Sequence, residues 1–238
     1  VRALVTGGSG AIGAAICRRL CRAGHSVYVH GLRRLEAAAA LAAELRAEGR
    51  DAQAIAFDVT DGAATTQALA ALLAEGPIQI LVNNAGLHDD QVFAGMNSQQ
   101  WHRVLDVNLG GFFNVTQPLT LPMLHTRWGR IINISSIAAR HGNRGQVNYS
   151  AAKGALEAAT RSLALELATR GVTVNAVAPG IIASEMSAAA FTPERIAELV
   201  PMKRAGTPDE VAALVAWLCT EEAGYITGQV IAIDGGIP

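Results

Sequence analysis

Seven short runs of apolar, strand-favouring residues punctuate this 238-residue chain, and a helix-length segment separates most of them from the next. The runs are Ala3–Val5, Val27–Val29, Ala54–Phe57, Ile78–Val82, Arg130–Ile134, Val172–Ala176 and Val230–Ile233. Helix-period segments lie at Ala11–Ala23, Arg34–Glu48, Gly62–Glu75, Ser98–Leu124, Asn148–Arg170 and Pro208–Cys219. Uninterrupted apolar runs, without apolar–polar alternation, belong to strands covered on both faces. Separated by helices, such strands imply a parallel sheet. The expected fold is α/β: a single-domain, doubly wound Rossmann fold over residues 1–238, with a seven-stranded parallel sheet and helices on both faces.

Composition excludes several classes. Half the residues are apolar, 16% are charged and the formal net charge is -1, so no basic excess points to nucleic acid and no acidic run to a disordered tail. The longest uncharged stretch, Val107 to Thr126, contains Asn108, Asn114, Gln117, Pro118 and Pro122. It is too polar and too broken for a membrane span. A strand-like run leads directly into a glycine loop at position 7, so no signal peptide is read, and the start at Val1 leaves room for missing native residues. Cys17, Cys21 and Cys219 cannot pair fully; with no ligand cluster beside them they read as buried small hydrophobes rather than metal ligands. The expected compartment is the cytoplasm.

The first apolar run ends in Thr6-Gly7-Gly8-Ser9-Gly10-Ala11-Ile12-Gly13. A glycine loop between strand and helix lets the backbone approach a pyrophosphate, whose charge the helix N-terminus favours. The alternative is a glycine-rich turn with no ligand. After the second run, where an NAD-selective site carries Asp or Glu, the chain reads His30-Gly31-Leu32-Arg33-Arg34. Two arginines without an acid suit the 2′-phosphate of NADP, unless both are solvated helix starts. Asp58 and Val59 follow the third run, where an adenine could be held, and Asn83-Asn84-Ala85-Gly86 ends the fourth, where ligands of such sheets bind. Asn108 lies inside an otherwise apolar helix, so it needs either a structural hydrogen bond or a catalytic water.

The stretch Ser136 to Lys153 holds three groups suited to carbonyl reduction: the Ser136 hydroxyl, the Tyr149 phenol and the Lys153 ammonium. Tyr149 and Lys153 lie four residues apart, on one face of a helix. A fixed cation there would favour the phenolate and draw the phenol toward neutral pH. The bland alternative is an ordinary amphipathic helix face.

With these residues collected, the chain resembles the short-chain dehydrogenase/reductase family over its whole length. The matches are the Thr6–Gly13 loop, Asn83–Gly86, Asn108, Ser136, Tyr149, Lys153 and Pro179-Gly180. The resemblance implies that Tyr149 is the general acid and that Ser136 orients the substrate carbonyl. It implies that Lys153 binds the nicotinamide ribose and lowers the phenol pKa, and that Asn108 holds a proton-relaying water. Pro179, Gly180 and Ile182 would pack beside the nicotinamide, with Ser184 on its carboxamide. Cofactor contacts would come from Thr6, Gly7, Ser9, Gly10, Ala11, Ile12, Gly13, Arg33, Arg34, Asp58, Val59, Asn84, Ala85, Gly86, Tyr149 and Lys153, holding NADP(H).

Within the family, Gly142-Asn143-Arg144-Gly145-Gln146-Val147-Asn148-Tyr149, Tyr225–Gln229 and Asp234-Gly235-Gly236 are similar to β-ketoacyl-acyl-carrier-protein reductases. Arg127 and Arg170 fall where those enzymes dock an acyl carrier protein. Two departures stand out: Gly10 replaces an arginine used on the NADP phosphate, and Ala11 replaces the middle glycine of the loop. The implied reaction is NADPH-dependent reduction of a 3-oxoacyl thioester, by a homotetramer, with residues 183–202 as a substrate lid. An alcohol, sugar or steroid dehydrogenase of the same family stays open. So does a module that senses the nucleotide's redox state without turning it over, although such modules commonly lose the tyrosine or lysine.

Overall fold

The computed structural model describes the backbone of all 238 residues and every side chain except those of Glu185, Met186 and Ala189, which fall inside the expected lid. The elements run β1 Arg2–Val5, α1 Ala11–Arg22, β2 Ser26–His30, α2 Leu35–Ala47, β3 Ala52–Ile55, α3 Gly62–Ala74 and β4 Ile80–Asn83. They continue with α4 Ser98–Leu105, α5 Gly111–Thr126, β5 Gly129–Ile134, α6 Ala138–His141, α7 Val147–Leu167 and β6 Val172–Pro179. Then come α8 Glu185–Ala190, α9 Pro193–Leu199, α10 Pro208–Leu218 and β7 Val230–Ile233. The seven strands form one sheet in the order β3-β2-β1-β4-β5-β6-β7, and every pairing is parallel.

Successive strand residues face opposite ways, and each face has its own core. Ala3 and Val5, Val27 and Val29, Ile80 and Val82, and Ile132 and Ile134 pack with α1, α2 and α10. Leu4, Tyr28, Leu81 and Ile131 pack with α3, α5 and α7 on the other side. Such two-sided cover explains why the strands read as unbroken apolar runs. All three cysteines are free and buried, and all belong to the first core. Burial pushes the Cys21 thiol up to about 11 and the Cys219 thiol to about 12.

The structure moves several boundaries. The helical segment read as Ser98–Leu124 is broken by a π-helical turn at Asp106–Gly110, and its second part extends to Thr126. The third strand ends at Ile55 rather than Phe57, so Asp58 and Val59 lie on the loop beyond it. The short α6 sits inside the Ser136–Lys153 stretch, and the expected lid carries two short helices, α8 and α9.

Candidate active site

Strand order reverses between β1 and β4, and the crevice outside the carboxyl ends of the strands at that switch is where ligands of open α/β sheets bind. The loop after β1 and the loop after β4 meet there. The Thr6 hydroxyl accepts from the N–H groups of Asn84 and Ala85 at 3.0 and 2.9 Å. The Asn84 side-chain amide donates to the carbonyls of Thr6 and Gly7, both at 3.0 Å. Gly7 has φ +62° and Gly10 N–H donates to its carbonyl at 3.1 Å. A Cβ on Gly13 would stand 2.3 Å from that same carbonyl, so only glycine lets α1 approach the turn this closely. At Gly10 a Cβ would meet nothing nearer than 3.4 Å, and Ala11 faces outward, exposed. The alanine in place of the middle glycine therefore does not crowd the loop's own packing.

Beyond β2, a Cβ on Gly31 would come within 3.0 to 3.1 Å of the Arg34 carbonyl, the Ala38 methyl and the Ser9 hydroxyl. A side chain there fits only if these neighbours give by a few tenths of an ångström, while Arg33 and Arg34 are exposed on the rim. Asp58 is held by Thr60, whose N–H and hydroxyl donate to one carboxylate oxygen at 2.9 and 2.8 Å.

The candidate chemical groups meet across the crevice. α7 runs antiparallel to the strands, so its first turns lie over their carboxyl ends. Lys153 is 3% exposed, and its ammonium donates to the Ile134 carbonyl at 2.8 Å. It stands 5.6 Å from the centre of the Tyr149 ring. Asn108, in the π turn, donates through Nδ2 to the carbonyls of Leu87 (2.7 Å) and Val104 (2.9 Å). Its Oδ1 is buried and, among the described residues, has no protein partner. A Cβ on Gly86 would fall 2.7 Å from that oxygen and 3.4 Å from the Lys153 nitrogen, so only glycine there lets both polar atoms pack close beside the loop after β4. A buried acceptor without a partner is costly, and a water or ligand hydroxyl would satisfy it.

The acidities differ from the sequence expectation. Burial raises the Tyr149 phenol above its ordinary value; a hydrogen bond with Ser136 pulls it down and the Asp90 charge pushes it further up. Lys153 does not act on it as the acidifying cation expected from their spacing. Burial instead draws Lys153 itself down to about 8. In this geometry the low-dielectric pocket favours the neutral form of both groups.

Other expected residues take more structural parts. Pro179 ends β6, and Gly180 packs so tightly that a Cβ would lie 2.8 Å from Asp234. Ile182 is buried and bridges to Gly206. The Ser184 hydroxyl caps α8, accepting from Ser187 N–H at 3.1 Å. Arg127 and Arg170 are exposed neighbours at the amino ends of β5 and β6, the end of the sheet opposite Tyr149.

Sequence reasoning passed over three features. Asn148 is fully buried; its Nδ2 donates to the Asp89 carbonyl at 3.1 Å and its Oδ1 accepts from Tyr149 N–H at 2.8 Å. An amide directly before the tyrosine was the available signal. Asp90 accepts from Gln146 through both oxygens, at 3.0 and 2.9 Å, and bonds the His88 ring, which stands 6.2 Å edge-on from Tyr149. His30 is buried at the end of β2 with both ring nitrogens bonded.

The family model described as short chain dehydrogenase matches residues 2–195. The chain belongs to the short-chain dehydrogenase family. Nodulation protein G of Azospirillum brasilense is 45% identical over 238 residues, covering 99% of this chain and 97% of the relative. The 3-oxoacyl-[acyl-carrier-protein] reductase FabG of Aggregatibacter actinomycetemcomitans is 43% identical, covering 98% of each chain. The acetoacetyl-CoA reductase of Rhizobium meliloti is 44% identical, covering 98% and 97%. The short-chain dehydrogenase family uses a nicotinamide cofactor, and the residues present fit one: the Gly7–Gly13 turn opens α1 at the carboxyl end of β1, and the unpartnered Asn108 Oδ1 and the Lys153 ammonium lie side by side next to Gly86. Among the described residues no group of three His, Cys, Asp or Glu side chains is arranged to hold a metal, and no helix is long and apolar enough to cross a membrane.

Proposed function

We propose that this protein is an NADPH-dependent reductase of 3-oxoacyl thioesters, converting the ketone to the 3-hydroxyacyl thioester. The observation that carries the reading is the convergence of Ser136, Tyr149, Lys153 and Asn108 at one end of the sheet, beside a glycine turn shaped for a pyrophosphate. Relatives named for 3-oxoacyl and acetoacetyl thioesters support the substrate class. The crowded Gly31 position and the exposed Arg33 and Arg34 support NADP over NAD.

The glycine turn and the N-terminus of α1 would hold the pyrophosphate, with Pro179, Gly180, Ile182 and Ser184 along the nicotinamide. The reduced nicotinamide, when bound, supplies hydride to the ketone carbon. Ser136 and Tyr149 would share the ketone oxygen as hydrogen-bond donors, stabilising charge as it develops there. Tyr149 then gives up its phenolic proton. Its raised pKa keeps it protonated, the state a donor needs. Lys153 and the water that Asn108 Oδ1 would accept from would restore that proton. Residues 183–202 would close over the acyl chain.

Arg127 and Arg170 support an acidic carrier as partner, and their placement adds a condition. α7 spans 21 residues, about 30 Å at the helical rise, between Tyr149 and the Arg170 end. A carrier docked on these arginines would therefore serve the crevice of a neighbouring copy, as a homotetramer of this chain would allow.

Initial rates with acetoacetyl thioesters on carrier protein and on CoA, against simple ketones, each with NADPH and NADH, test the reading. Thioester reduction with NADPH at rates at least tenfold above the other combinations is expected, and preference for simple alcohols or ketones would overturn it. Tyr149→Phe is expected to lower turnover by about 10²–10⁴-fold with an unchanged melting temperature; near-normal turnover would remove the phenol from the chemistry.

A further inference from the structure

The glycine turn is gripped from two sides, and the second grip comes from a residue no part of the reaction uses. On the β4 side Asn84 donates to the Gly7 carbonyl. On the β2 side Gly7 N–H donates to Nδ1 of His30 at 3.1 Å. Nε2 of the same ring lies 2.8 Å from the Phe57 carbonyl. Carbonyls only accept and backbone N–H groups only donate. The two contacts together therefore fix the ring as the neutral tautomer protonated at Nε2. His30 is 3% exposed and lies 4.3 Å, centre to centre, from the Phe57 ring.

We propose that His30 is a positioning residue for the dinucleotide, a latch that ties the phosphate-binding turn at Gly7 to the adenine-side loop at Phe57–Val59. The inference rests on reading the Thr6–Gly13 turn as the dinucleotide site. Gly7 is the pivot of that turn: its φ is +62°, its carbonyl accepts from Gly10 and Asn84, and His30 takes its remaining polar group. With the latch engaged, the peptide before Gly7 cannot rotate without breaking this partly buried hydrogen bond. The segment between β2 and α2, which carries Arg33 and Arg34, starts directly after the latch. One imidazole thus sets the relative places of three loops that border the adenosine half of the site.

The electrostatics agree. Asp58, on the loop after β3, and the hydrogen bond to Phe57 favour the charged ring, but burial outweighs them and lowers the His30 pKa. The glycine turn faces the ring with the Gly7 amide, and β3 side contacts are the Phe57 carbonyl and phenyl ring. Protonation at Nδ1 would set two N–H groups against each other at Gly7.

The test compares wild type, His30→Phe and His30→Asn by NADPH fluorescence titration, by exchange of the Gly7 amide in nucleotide-free protein, and by ¹⁵N chemical shifts of the wild-type ring at pH 7. The wild-type ring is expected to show Nε2 protonated and Nδ1 bare. His30→Phe keeps the ring shape but no acceptor; it should weaken NADPH binding about tenfold and speed Gly7 exchange. In turnover the KM for NADPH should rise while kcat at saturating NADPH holds. His30→Asn places an amide oxygen near the position of Nδ1 and should recover most of both losses. A ring protonated at Nδ1, His30→Phe binding within twofold of wild type, or His30→Asn no better than His30→Phe would overturn the latch. Should His30→Phe not fold, the wild-type tautomer and His30→Asn decide. Wild type that binds neither NADPH nor NADH would instead overturn the dinucleotide site itself, and the latch with it.

Discussion

The Lys153 ammonium is buried and donates to the Ile134 carbonyl, and that burial carries a cost to the fold. Its folded value near 8 lies below the ordinary 10.5. Between those two pH values the unfolded chain binds more protons than the folded one, so nucleotide-free stability should rise with pH across that window. Below it both states are protonated, and the burial penalty stands in full at roughly 3 kcal/mol. Lys153→Met should therefore melt several degrees higher than wild type at pH 7, with the gap narrowing toward pH 10, while turnover is lost. Thermal melts across that range check this; an unchanged or lower melting temperature at pH 7 would show that the Ile134 bond outweighs the desolvation. In the proposed reaction, function at this residue would oppose stability. The spacing of Tyr149 and Lys153 was legible in the sequence, whereas the direction of their acidities was not, because burial and not the mutual charge sets it.

At the scale of elements, the strands could be read because burial on both faces leaves an unbroken apolar pattern. The π turn could not, since a wider turn preserves helical periodicity on either side and changes only where Asn108 points. The start of α7 depends on a similar local device. Gln146 provides no side-chain cap there, and Asn148 serves from inside the helix, holding Tyr149 N–H and reaching the Asp89 carbonyl. Asn148→Ala leaves both groups without that partner and should destabilise the protein by about 1–3 kcal/mol, with a lower kcat as the phenol loses its fixed position. Denaturant unfolding together with steady-state rates would measure both effects. A stability loss with kcat intact would confine Asn148 to the fold. His30 was read from sequence only as the absence of an acid; its bonding emerges once β2 is seen paired between β1 and β3.

For the whole molecule, apolar side chains stand on the outer face of the second layer: Phe113 and Leu121 on α5, and Leu165 on α7, are 63%, 59% and 83% exposed. Such exposure favours burial against another copy, and sedimentation at micromolar protein should give a tetramer. Charge reversal at Arg127 and Arg170 together should slow carrier-linked substrates by about tenfold or more and spare CoA-linked ones; equal effects on both would leave the carrier without a docking role there. The first core has a further consequence. Because Cys17, Cys21 and Cys219 are all sealed inside it, an alkylating reagent reaches them only when that layer opens. The rate at which the intact protein takes up a maleimide is thus a clock for the separation of α1 and α10 from the sheet, readable without introducing a single label.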